Sequence, residues 1–132
     1  MKLKEILLID DNYVDNYISQ IILEKEDLSE TITVKLSAME ALDYLKNKVE
    51  FPQLVFLDIR MPAMDGFEFL DEFSKFSNNQ KAHCDIVMLS SSNSTTDMEA
   101  AKKNALVLDY LSKPLCKEKI ASVFELLAQK KA

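Results

Sequence analysis

Five short apolar runs divide the chain at intervals that leave room for one helix between each pair, and this alternation limits the fold more than any other feature. The runs are Ile6-Leu7-Leu8-Ile9, Ile32-Thr33-Val34-Lys35-Leu36, Leu54-Val55-Phe56-Leu57, Ile86-Val87-Met88-Leu89 and Leu106-Val107-Leu108-Asp109-Tyr110-Leu111. Continuous apolar runs of this length suit strands buried on both faces, as in a parallel sheet. The second run, rich in β-branched residues, also favours extended backbone. Between the runs the periodicity is helical. Val14, Tyr17, Ile18, Ile21 and Ile22 form one apolar stripe, with Asp15, Gln20 and Glu24 elsewhere on the helix. Ser37-Ala38-Met39-Glu40 matches a capping box ahead of Ala41, Leu42 and Leu45. Phe67, Leu70 and Phe73 mark a third helix. Ser94-Thr95-Thr96-Asp97 caps a short fourth, and Ile120, Val123, Phe124 and Leu127 define a fifth. Asn78 to Asp85 reads as a polar connection. Strands alternating with helices imply a parallel sheet covered on both faces, and right-handed crossovers leave few topologies.

The length of 132 residues fits one domain with a real core, and 48% hydrophobic residues make it globular. A formal net charge of −6 disfavours nucleic acid or an anionic membrane as direct partner. The N-terminal apolar run is too short to span a membrane, and no small-residue cleavage site follows it. Cys84 and Cys116 have neither a CxxC nor a zinc spacing and suit a reducing compartment as small hydrophobes. His83, the only histidine, falls in a polar loop. The expectation is a cytoplasmic protein, monomeric in its resting state.

Chemistry follows from where the strands end, because ligands of open α/β sheets bind beyond the carboxyl ends of the strands. The first run ends in Asp10-Asp11, the third in Asp58 and the fourth in Ser90, with Ser91, Ser92 and Asn93 behind it; Lys113 follows the fifth. Taken singly, each has a bland explanation: Asp10-Asp11 a helix cap, Asp58 and Ser90 turn residues, Lys113 a solvated charge. No packing requirement calls for the whole set. Three carboxylates brought together repel one another, and a divalent cation relieves that repulsion. Oxygen ligands without a His or Cys cluster point to Mg²⁺ rather than zinc. A carboxylate beside a cation and a lysine is suited to attack phosphorus.

The blocks Ile6-Leu7-Leu8-Ile9-Asp10-Asp11, Leu57-Asp58-Ile59-Arg60-Met61-Pro62-Ala63-Met64-Asp65-Gly66, Leu89-Ser90-Ser91 and Ser112-Lys113-Pro114-Leu115 resemble, in order, the four signature blocks of bacterial two-component receiver domains. That resemblance implies a flavodoxin-like, doubly wound five-stranded parallel sheet in the order 2-1-3-4-5, flanked by five helices. It implies one receiver domain over residues 1–132 without an output domain. Asp58 would be the phosphoacceptor, supplied by a sensor histidine kinase or a histidine phosphotransfer protein. Asp11, Asp58 and the backbone carbonyl of Arg60 would bind Mg²⁺ directly, and Asp10 through water. Ser90 and Lys113 would contact the phosphoryl oxygens, Ser90 and Tyr110 would form a switch read by a downstream protein, and the Lys113–Pro114 bond would be cis.

Three other readings compete. A non-phosphorylated interaction module on the same fold would lack part of the acidic set or the lysine. A haloacid-dehalogenase-like phosphatase needs a second acid two residues after its nucleophile, where this chain has Arg60. A flavodoxin needs a phosphate loop after the first strand, where Asp10-Asp11 would repel phosphate.

Overall fold

A computed structural model describes residues 2–91 and 93–131; Met1, Ser92 and Ala132 lie outside the described residues. The element order is β1 (Leu3–Ile9), α1 (Tyr13–Glu26), β2 (Ser29–Lys35), α2 (Ala38–Lys46), β3 (Leu54–Asp58), α3 (Gly66–Phe73), α4 (Asn78–Lys81), β4 (Asp85–Ser90), α5 (Thr95–Lys103), β5 (Val107–Ser112) and α6 (Lys117–Lys131). All strand pairs are parallel, in the order β2-β1-β3-β4-β5. The expected sheet is therefore present, with one helix more than the five expected. The additional helix is the single turn α4, within the segment read as a polar connection. Its capping box, Ser77 with Gln80, closes the turn locally and buries none of its residues, so no apolar periodicity announces it.

Strand alternation divides the core in two. Leu7, Ile9, Val55, Leu57, Ile86 and Met88 face α2, α3 and α5. Ile6, Leu8, Leu54, Phe56, Val87 and Leu89 face α1 and α6. β3 is buried along its whole length. This central position explains why its run is uniformly apolar until Asp58.

Helix α1 turns most of its apolar stripe away from the core. Its buried residues are Asn16, Ser19 and Leu23. Tyr13 is 74% exposed, Val14 61% and Tyr17 59%, and Ile18 and Ile21 are exposed as well. Only Ile22 of the stripe packs partly inward. The N-cap is Asn12, whose side chain accepts from the Asp15 N–H, so the preceding acids are not needed as caps.

The loop from Ile59 to Asp65 brings α3 back hard against β3. The Gly66 N–H donates to the Ile59 carbonyl at 2.8 Å. A Cβ on Gly66 would lie 2.8 Å from the Asp58 carbonyl oxygen and 3.0 Å from the Ile59 Cα. Both neighbours are backbone and cannot step aside. Gly66→Ala should therefore cost about 1–3 kcal/mol of stability, as overpacking does elsewhere; a urea melt reads it directly.

Candidate functional site

Four strand ends and one loop build the site. Sheet register sets Ile9 beside Leu57, Asp58 beside Leu89, and Ser90 beside Ser112. Residues just past those positions emerge at one edge. Asp10 is buried and Asp11 exposed, while Asp58, at the end of the central strand, is only 4% exposed. Oxygens of Asp10, Asp11 and Asp58 all lie within 4.8 Å of one another. Ser90 is buried at the end of β4. The Ile59 N–H donates to the Leu89 carbonyl at 3.2 Å, and the Lys113 N–H to the Ser90 carbonyl at 2.8 Å, pinning the loops after β3 and β5 to β4. The Lys113–Pro114 bond is cis, as expected.

The Lys113 ammonium sits among the acids. Its Nζ is 2.6 Å from Asp10 Oδ2, 2.9 Å from Asp15 Oδ2 and 3.3 Å from Asp58 Oδ1. Asp10 is fixed further: its Oδ1 accepts from the Asn12 N–H at 2.9 Å, and its carbonyl from Asn16 Nδ2 at 2.7 Å. The buried Asn16 on α1 thus serves the first site loop. Sequence reasoning missed Asn16 and Asp15, because both read as polar-face residues of an amphipathic helix. The only available signal was the reversed polarity of α1, visible once its apolar stripe is known to face out. Arg60 points away from the acids. Its guanidinium pairs with the largely buried Asp97 of α5 at 2.5 Å, a partnership with no sequence signal. Ala63, in the same loop, has φ 67°, a left-handed conformation disfavoured by its Cβ.

Electrostatics follow from this crowding. Burial, then the neighbouring Asp10 charge, push the Asp58 carboxyl up to about 7, against the opposing pull of Lys113. Burial disfavours the Lys113 charge, but the hydrogen bonds to Asp10 and Asp15 outweigh it and hold the ammonium well above its usual range. Three clustered carboxylates against one ammonium leave a negative excess. Every clustered ligand atom is an oxygen, the donor chemistry of a hard divalent cation. The residues therefore fit Mg²⁺.

Tyr110 lies on β5 beside Met88 and packs partly against the α2–α3–α5 side of the core. Its hydroxyl is already buried and finds no hydrogen-bond partner among the described residues. The structure thus holds Tyr110 with its hydroxyl turned inward.

A parallel sheet in the order 2-1-3-4-5, with an acidic cluster at its strand ends, defines the doubly wound α/β class that binds ligands at the topological switch point. Residues 6–125 match the family model of the response regulator receiver domain, and the chain belongs to that family. Receiver domains bind Mg²⁺ at an acidic pocket, and this chain has the corresponding aspartate cluster. A two-component response regulator from Cytophaga hutchinsonii superposes with a TM-score of 0.90 at 27% identity, covering 97% of this chain and 99% of that one. A probable methanogenesis regulatory protein of Methanothrix harundinacea is 32% identical over 91% of this chain and 78% of its own length. An uncharacterized response regulatory protein of Staphylococcus epidermidis is 29% identical over 96% of this chain and 47% of its own. The chain spans about half or less of several curated relatives, from 14% to 54% of their lengths. Among the described residues no helix is long and apolar enough to cross a membrane.

The raised Asp58 carboxyl has a consequence for stability. Its folded-state value, about 7, exceeds the unfolded value of about 3.9. Ionising it therefore removes stability as pH rises through that window. In metal-free buffer Asp58→Asn should stabilise the fold and raise Tm, little at about pH 4 and increasingly to about pH 7, the gain in unfolding free energy levelling off at about a few kcal/mol. Thermal melts across pH measure this; a gain independent of pH would contradict it.

Proposed function

We propose that the chain accepts a phosphoryl group on Asp58 from a histidine of a sensor kinase or phosphotransfer protein, in a Mg²⁺-dependent reaction. The observation that carries this reading is the convergence of Lys113 on Asp58 inside a cluster of acids that fits a divalent cation. An Asp58 carboxylate oxygen forms the new O–P bond as the P–N bond to the donor imidazole breaks, and the electron pair returns to that nitrogen. Asp11, Asp58 and the Arg60 carbonyl would hold Mg²⁺, with Asp10 acting through water. When bound, the cation offsets charge on the phosphoryl oxygens. Lys113 supplies the second positive charge, and Ser90 a hydroxyl for one oxygen. In this reading the protein is a signalling phosphoacceptor in the cytoplasm, monomeric before phosphorylation.

The exposed face of α1 supports a helical, apolar-surfaced donor. Tyr13, Val14, Tyr17, Ile18 and Ile21 form a continuous apolar surface of the kind that marks an interaction site. It adjoins the acids: Ile18 and Asp15 share a small depression with Lys113, Pro114 and Leu115. A partner seated there has its histidine within reach of Asp58. Output would lie on α5, β5 and α6, with Ser90 and Tyr110 as the switch. Phosphorylation then selects between the buried Tyr110 position and an exposed one. The buried hydroxyl has no partner among the described residues, and a modest differential interaction with the two positions suffices to shift the balance.

Acetyl phosphate with Mg²⁺ should add one acid-stable, base-labile phosphoryl group, and Asp58→Asn should abolish it. Undiminished labelling of the mutant overturns the assignment; an unlabelled parent favours a non-phosphorylated interaction module. Separately, Ile18→Asp should slow transfer from a histidine phosphodonor about tenfold or more, given the usual loss at an interface anchor. Its labelling by acetyl phosphate should stay at the parent rate, and equal slowing with both donors would remove α1 from the docking surface.

A further inference from the structure

Lys113 has three ammonium protons and three carboxylate neighbours, of which Asp10 and Asp58 belong to the cation cluster and Asp15 does not. This difference matters when a divalent cation binds. Asp10 and Asp58 are then committed to the cation, directly or through water, and two like charges confined near them repel. A lysine held only by those two acids would be driven out of the site at the moment its charge is required. Asp15 stands outside the cluster on the first turn of α1, with its carboxylate 2.9 Å from Nζ. Its backbone is fixed by the Asn12 cap, whose side chain accepts the Asp15 N–H at 3.0 Å. The side chain is about one-third exposed, whereas the Lys113 side chain is 12% exposed. An acid so placed can keep its ionised form solvated while it holds a nearly buried ammonium.

We propose that Asp15 is a positioning residue that keeps the Lys113 ammonium beside Asp58 once a divalent cation occupies the acidic cluster. It touches neither the cation nor the phosphoryl group and acts through Lys113. One ammonium N–H keeps donating to Asp15 while the others exchange carboxylate partners for a phosphoryl oxygen. This inference rests on the reading of Asp58 as phosphoacceptor.

The test follows Lys113 itself as well as the reaction. Selective ¹⁵N labelling of lysine side chains gives an Nζ resonance for a hydrogen-bonded, nearly buried ammonium. In the parent that resonance should persist through a Mg²⁺ titration. In Asp15→Asn it should be lost to solvent exchange once Mg²⁺ is added, and Asp15→Glu should restore it. Phosphorylation by acetyl phosphate at saturating Mg²⁺ should fall about tenfold in Asp15→Asn, the scale of outer-shell losses at metal sites, with most of the rate recovered in Asp15→Glu. In a Lys113→Met background the same substitution should add nothing, since its effect passes through the lysine. A resonance that survives Mg²⁺ in Asp15→Asn overturns the proposal, and so does a full tenfold loss that persists without Lys113. If the parent accepts no phosphoryl group, the functional reading fails, while the Lys113 resonance still decides the role of Asp15.

Discussion

The ion-pair cluster around Lys113 is the interaction on which the rest of the site depends. Parallel strands that end together bring Asp10 and Asp58 to one edge, and both are buried. Left alone, two such charges oppose the fold that creates them. A buried ammonium among them turns repulsion into a set of short contacts. The same chain shows the alternative in Glu5, also buried, on the edge between β1 and β2. Burial works against its charge, but Thr33, Tyr44 and Lys48 donate to it and hold its carboxyl below the usual range. Glu5 is fully served by its neighbours and stays quiet. Asp58 is not, and its carboxyl is driven up to about 7. Compensation at Asp58 is incomplete, since one ammonium is shared among three carboxylates.

Reversal of α1 is the second organising feature. A helix packed against a sheet ordinarily turns its apolar residues inward. Here Asn16 and Ser19 face the sheet, and tyrosine, valine and isoleucine face solvent. Asn16 is spent on the Asp10 carbonyl, so part of the inward face of α1 serves the site loop rather than the core. The cost of exposing so much apolar surface is tolerated because β1 and β3 are covered on that side by α6 as well, through Ile120, Val123 and Leu127, and by Leu115 ahead of it. One helix therefore combines three tasks: bracing Asp10, contacting Lys113 through Asp15, and presenting an apolar surface beside the acids.

The loop after β3 ties these parts to α5. Arg60 follows Asp58 by two residues, and its guanidinium ends on Asp97 at the start of α5. Gly66 lets α3 begin against the backbone of Asp58 and Ile59. The loop is thus anchored on both flanks, by the Arg60–Asp97 pair and by the close start of α3.

How much of this was legible in the sequence depends on range. β1, β3 and β4 were readable because burial on both faces writes an apolar run, and β2 and β5 from their β-branched and apolar residues; Asp10, Asp11, Asp58, Ser90 and Lys113 were readable because each lies within two residues of the end of such a run. The turn of α4 was not readable, since a capping box with no buried face leaves no periodic mark. Orientation of the α1 stripe was not readable either, because periodicity fixes that a helix has two faces and not which one meets the sheet. The contacts of Asp15 and Asn16, and the Arg60–Asp97 pair, join positions far apart or on a face whose direction was unknown. The sequence by itself determined the five strands, the longer helices between them and the chemical identity of the strand-end residues, since these follow from local burial and spacing, while the strand order was implied by the resemblance to receiver domains. Tertiary structure alone decided which acids share the lysine, which face of α1 meets water and how far Asp58 is desolvated, because each depends on distances that exist only after the sheet has closed.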